Sequence, residues 1–174
     1  MVDTIRNSGG NNIERLLIIA GANDDLELSY SSNYKMPIDQ SNKLAISLHY
    51  FNPSDFTKYY YYEPYNITNY EGIILTSKPK LNWENSLDYK NLFVDFELMK
   101  RYFVNKGIPV IISEVGVFTN EKREIESIRE YLYMQFSFSL EYDGIMCCFW
   151  DTSNKTFGDM NSMTEQMIYG MMKK

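Results

Sequence analysis

Four short apolar runs set the fold of this chain. They are Arg15-Leu16-Leu17-Ile18-Ile19-Ala20, Leu44-Ala45-Ile46-Ser47-Leu48-His49-Tyr50, Ile108-Pro109-Val110-Ile111-Ile112-Ser113-Glu114 and Gly144-Ile145-Met146-Cys147-Cys148-Phe149-Trp150. None keeps a strict apolar–polar alternation. Each therefore reads as a strand buried on both faces, as in a parallel sheet covered by helices. The intervening stretches switch to helical spacing. From Asp88 to Asn105, the residues Leu92, Phe93, Phe96, Met99, Tyr102 and Phe103 recur on one face, and Lys106-Gly107 stops the helix. From Glu121 to Glu141, Ile125, Ile128, Leu132, Phe136 and Leu140 do the same, with Asn120 placed as an N-cap before an acidic first turn. Met1 to Ser8 reads as the tail of a helix that presents Val2 and Ile5 and ends at Gly9-Gly10. This alternation predicts an α/β fold with parallel strands adjacent in chain order and right-handed crossovers.

Composition removes several function classes. The 174 residues, 44% of them hydrophobic, suit one domain with a sizeable core. A net charge of −6 argues against nucleic acid as a partner, because phosphates need a basic face. No run of about 18 apolar residues is present, so no membrane span is predicted. No basic segment leads into an apolar one, so no signal peptide is predicted in this chain. Cys147 and Cys148 are neighbours and cannot staple distant segments. With His49 as its single histidine, the chain lacks the three or four ligands of a zinc site, and neither metal nor cofactor is expected. A flavodoxin-like α/β domain would want a glycine-rich phosphate turn after a strand, and none is present.

Two long connections, Gly21 to Lys43 and Asn52 to about Glu84, are of a length that is usually functional or mobile. The second holds Tyr59-Tyr60-Tyr61-Tyr62, which reads as a partly packed, partly solvated run, with a sugar-stacking lip as the alternative. Asn66-Ile67-Thr68 and Asn154-Lys155-Thr156 are sequons, meaningful only in a secreted protein.

The polar residues fall at the carboxyl ends of the last three runs: His49-Tyr50, Glu114 and Trp150-Asp151. Parallel α/β sheets and barrels bind ligands there. Taken singly, each has a plainer explanation. Glu114 reaches solvent past the strand or caps the turn at Val115-Gly116, His49 is a satisfied core histidine, and Trp150 packs. Their joint alignment favours a site.

These residues sit within a set of strings in a fixed order. The strings are Val2-Asp3-Thr4-Ile5-Arg6 with Gly9-Gly10-Asn11-Asn12 and Arg15, then Met36-Pro37 with Asp39, then Leu48-His49-Tyr50. Gly107-Ile108-Pro109-Val110-Ile111-Ile112-Ser113-Glu114 with Gly116 follows, then Asp143-Gly144-Ile145, and then Phe149-Trp150-Asp151. In this order the chain resembles the C-terminal half of family 5 glycoside hydrolases, the cellulase-type endoglucanases, and above all those of anaerobic fungi. The resemblance implies a partial TIM (β/α)8 barrel whose four strands are the barrel's fifth to eighth, spanning residues 1–160, with a divergent tail over 161–174. It implies retaining hydrolysis of a β-1,4-glucan, with Glu114 as nucleophile and His49 in the catalytic cleft. Trp150 is implied as the platform under the sugar, and Tyr50 is a further candidate for substrate contact, although a period of two turns it away from His49. Secretion is implied for the full-length family.

The departures are equally specific. The family's acid/base is a Glu preceded by Asn at the end of the fourth strand, and no Asn-Glu pair here closes a strand, since Asn120-Glu121 opens a helix. The isolated chain is therefore expected to be inactive. Phe51 stands where the family usually has a Tyr that bonds the nucleophile. A half-barrel also has two raw sheet edges, which points to self-association or to pairing with the other half. A non-catalytic remnant that binds glucan, or acts only when assembled, is the alternative.

Overall fold

The computed structural model describes residues 1–57, 65–68, 74–77, 82–83, 87–117 and 124–150. Its main sheet is built from β1 (Leu17–Ala20), β2 (Leu44–Tyr50), β5 (Val110–Val115) and β6 (Ile145–Phe149). These four strands are all parallel and lie in the order β1-β2-β5-β6. The order is the one predicted. Strand starts differ by one or two residues for local reasons. Arg15 gives its carbonyl to Arg6 at 2.6 Å instead of to a ladder, and Pro109 has no N–H to donate.

Helices α4 (Leu87–Tyr102) and α5 (Ile125–Glu141) cover one face of the sheet. On α4, Leu92, Phe96 and Met99 are buried against Ile46, Leu48, Val110 and Ile112. On α5, Ile128, Tyr131 and Leu132 join the same core. Helical periodicity overreached at two positions. Phe93 is 49% exposed and Leu140 72% exposed, because each lies at the margin of its apolar stripe, beyond what the sheet covers. Gly107 ends the turn after α4 with φ +78°, a left-handed conformation that costs glycine nothing. Asn120 lies outside the described residues, and α5 starts after Glu124 with no side-chain cap.

At the amino ends of the strands, α1 (Val2–Arg6) packs Val2 against Leu17 and Leu44. Arg6 ties this layer together. Its Nε and Nη2 meet the two oxygens of Asp39 at 2.9 and 2.8 Å, while Nη1 donates to the carbonyls of Asn12 and Arg15. Asp39 also accepts from the backbone N–H groups of Ser41 and Lys43.

Both long connections carry secondary structure. The first contains α2 (Leu26–Tyr30), capped by Asp25, whose side chain accepts from Leu28 N–H at 2.8 Å. The second contains α3 (Ser54–Thr57) and an antiparallel hairpin of β3 (Tyr65–Thr68) and β4 (Ile74–Ser77). The hairpin was not predicted, and the sequon at Asn66 falls on it. Tyr59–Tyr62, the sequon at Asn154, Asp151 and the tail over 161–174 lie outside the described residues.

Candidate functional site

Along β2, Ile46, Leu48 and Tyr50 point to α4 and α5, Leu44 on the same side packs against Val2 of α1, and Ala45, Ser47 and His49 point to the opposite face. The ladder register places Ile18, Ile111 and Met146 on that opposite face. Ile18 is 54% and Met146 52% exposed, so among the described residues this face is open. His49 and Glu114 meet at its carboxyl end. His49 Nδ1 lies 3.3 Å from Glu114 Oε2, and both side chains are partly exposed.

This meeting depends on an irregularity in β5. Leu48 pairs with Ile112, but His49 pairs with Glu114 and Tyr50 with Val115. On the other side, Ile112 pairs with Cys147 and Val115 with Phe149. Strand β5 thus carries one more residue than either neighbour over this interval. Ser113 is the surplus residue of a β-bulge, a feature that re-aims side chains. Ser113 and Glu114, though consecutive, are both half-buried.

Trp150 follows β6, and its N–H donates to the Val115 carbonyl at 2.9 Å, which fixes it beside the end of β5. Its ring meets Phe51 edge to face at a centroid distance of 5.6 Å. His49 and Glu114 are therefore brought together, and Trp150 is placed at the end of the adjacent strand pair.

Tyr50 is not part of this group. It is 2% exposed, lies on the helix face, and donates to Asp95 Oδ2 on α4 at 2.7 Å. Burial beside the Asp95 carboxylate pushes its hydroxyl well above the usual tyrosine range. It borders a separate pocket of about 410 Å³ with Asp95, Trp83, Tyr131 and Gln135. The expectation that Tyr50 contacts substrate is corrected on that ground. The period of two seen in the sequence was the signal that told against it.

Sequence reasoning missed Ser47 and Ser113. Their hydroxyls are 2.8 Å apart, and Ser113 Oγ also donates to the Leu48 carbonyl at 3.3 Å. Among the described residues no group of three His, Cys, Asp or Glu side chains is placed to hold a metal ion. Cys147 is buried, and that burial pushes its thiol up to about 12.

A parallel α/β sheet with a carboxylate and an imidazole at the carboxyl strand ends, beside a tryptophan, has the layout of a barrel hydrolase. The chain belongs to the cellulase family, glycosyl hydrolase family 5, whose model matches residues 1–156. It is 49% identical, with a TM-score of 0.81, to a GH5-4 broad-specificity endoglucanase from an uncultured bovine rumen ciliate. That alignment covers 90% of this chain and 44% of the ciliate enzyme. Endoglucanase 1 of Ruminococcus albus is 32% identical over 167 residues, covering 92% of this chain and 35% of that protein. Endoglucanase B of the fungus Neocallimastix patriciarum is 29% identical over 174 residues, covering 97% of this chain and 32% of that protein. The chain thus spans about a third of the length of these curated relatives, and its fold is part of a (β/α) barrel.

Proposed function

We propose that this chain supplies the nucleophile half of a retaining β-1,4-glucanase. Glu114 attacks the anomeric carbon as an ionised carboxylate, His49 holds it in the cleft, and Trp150 lies under the sugar ring. The observation that carries this reading is the Glu114–His49 contact of 3.3 Å on the open face of the sheet. A tryptophan at the end of the neighbouring strand supports it, since apolar sugar faces complement aromatic rings. The proton donor is a second carboxyl, roughly 5–5.5 Å from the first in retaining enzymes. Among the described residues no Asn-Glu pair closes a strand, and this proposal places the donor on strands that would pair with the sheet at its β1 and β6 edges. Secretion toward a β-glucan polysaccharide is part of the same proposal.

A second reading is a remnant that binds glucan without cleaving it. Phe51 favours it, because it offers no hydroxyl to Glu114 and packs on Trp150 instead. A 2-fluoro cellobioside with a dinitrophenyl leaving group separates the two. Its leaving group departs without a proton donor, and the fluorine slows hydrolysis of the glycosyl-enzyme. The expected result is one covalent adduct per chain by intact mass, mapped to Glu114 and absent in Glu114→Gln. Glucan binding with no adduct at Glu114 overturns the enzymatic reading and supports the remnant.

A further inference from the structure

We propose that the Ser47 and Ser113 hydroxyls form a positioning device that holds the β5 bulge and thereby selects the face on which Glu114 stands. The inference rests on the proposed role of Glu114 only for its catalytic meaning. The geometry is independent of it.

In an unbroken ladder Ser113 would sit opposite His49, and Glu114 opposite Tyr50. A one-residue slip turns a side chain to the other side of a sheet. Tyr50 is buried between the sheet and α4, so Glu114 in that register would press a carboxylate into the apolar helix layer. The surplus residue avoids this. It puts Glu114 beside His49 and returns Val115 to the core, where it is fully buried.

A bulge breaks the ladder locally and leaves backbone groups to be satisfied by other means. Here the bulged residue does so itself. Ser113 has one hydroxyl proton, and the Leu48 carbonyl, directly at the register shift, is an acceptor 3.3 Å from its oxygen. With that proton committed, the 2.8 Å contact to Ser47 is made by the Ser47 hydroxyl donating to Ser113 Oγ. The chain of donation runs from Ser47 to Ser113 to the Leu48 carbonyl. It spans β2 and β5, with Ser113 one residue before Glu114 and Ser47 and Leu48 two and one residues before His49. Neither serine touches the reacting atoms, so both act through Glu114.

The test uses the whole chain and its single histidine, whose ring nitrogens give unambiguous long-range ¹H–¹⁵N NMR signals. Glu114→Gln defines the part of the His49 ring shift that depends on the carboxylate. Ser113→Thr and Ser113→Val are nearly isosteric, and only the first keeps a hydroxyl. The expected result is that Ser113→Thr keeps the Glu114-dependent shift. Ser113→Val should lose most of it, so that adding Glu114→Gln changes nothing further. Ser47→Ala should give a partial loss with an unchanged far-ultraviolet spectrum, which keeps the proposal testable if Ser113→Val fails to fold. Equal Glu114-dependent shifts in Ser113→Thr and Ser113→Val, or an undiminished shift in Ser47→Ala, overturn it. Absence of a glycosyl adduct on Glu114 with these shifts intact would sink the enzymatic reading and leave the positioning device standing.

Discussion

The Tyr50 hydroxyl donates to Asp95 Oδ2 at 2.7 Å, locking the last residue of β2 to the middle of α4. The bond is on the reverse side of the sheet from His49, so consecutive residues of one strand serve two layers. Burial pushes the Asp95 carboxyl above its usual range, while the bond from Tyr50 works in the opposite direction.

Tyr50→Phe should therefore destabilise the fold. It strips a donor from a half-buried carboxylate, a loss typically worth about 1–3 kcal/mol at neutral pH. The sign of its pH dependence follows from the bond, which favours the ionised form of Asp95 against the burial that raises its pKa. A carboxyl that is harder to ionise folded than unfolded contributes stability in acid and loses it as pH rises. The deficit of Tyr50→Phe should thus shrink as Asp95 is protonated. Urea unfolding at pH 7 and pH 4.5 checks this, and an equal deficit at both would refute it.

Asp39 should show the opposite sign. The Arg6 guanidinium, with help from two backbone N–H groups, holds its carboxyl well below the usual carboxylate range. Its contribution is present above the ordinary carboxylate range and is lost as acid protonates it. Asp39→Asn should lower Tm at pH 7, and the gap to the parent chain should narrow toward pH 2. Thermal scans across that interval decide the matter.

Gly21 closes β1 where no side chain fits. A Cβ built there would lie 2.4 Å from Ser29 Oγ and 2.5 Å from Leu48 Cδ2. Ser29 Oγ cannot yield freely, because it accepts from Ala22 N–H and donates to the Asp25 carbonyl. Gly21→Ala should cost about 1–3 kcal/mol, the usual range for overpacking. A chemical denaturation midpoint that does not move would contradict it.

The isolated chain should hydrolyse neither cellulose nor aryl cellobiosides usefully, since positioned acid/base help is worth roughly 10²–10⁴-fold. Azide should rescue slow turnover of a dinitrophenyl cellobioside by attacking the glycosyl-enzyme without needing a base. Glu114→Gln should abolish the rescue. Robust cellulose cleavage that survives Glu114→Gln would show the chemistry to be wrong.

Trp150→Ala should weaken binding of soluble β-glucan oligosaccharides about tenfold, roughly 1.4 kcal/mol, if the ring is the sugar platform. Titration calorimetry against cellotetraose provides the measurement, and an unchanged affinity would remove Trp150 from the cleft.

The sheet was legible in the sequence because its signal is local. Leu17–Ala20, Leu44–Tyr50, Val110–Val115 and Ile145–Phe149 are apolar runs bounded by helical spacing or glycine, and their parallel order follows from the crossovers between them. The β3–β4 hairpin was not legible, since it lies within a polar, tyrosine-rich connection with no alternation long enough to register. His49 and Glu114 were legible as strand-end residues, but their common face was not. The bulge is set by a tertiary contact between serines 66 residues apart, a partnership that strand periodicity does not encode. Tyr50 stood next to the site in sequence and on the wrong side of it in space.

The surplus residue in β5 lets the strand absorb one unit of chain length without moving the ends of the ladder. Ile112 and Glu114 are two positions apart, yet the bulge turns the first toward the helices and the second toward His49. A frame-preserving loss of Ser113 would therefore leave an unbroken ladder in which Glu114 follows Ile112 directly, still opposite His49, with Val115 still opposite Tyr50. What the deletion would remove is the hydroxyl link from Ser47 to the Leu48 carbonyl. Length and side-chain chemistry are thus separable at this one point of the strand.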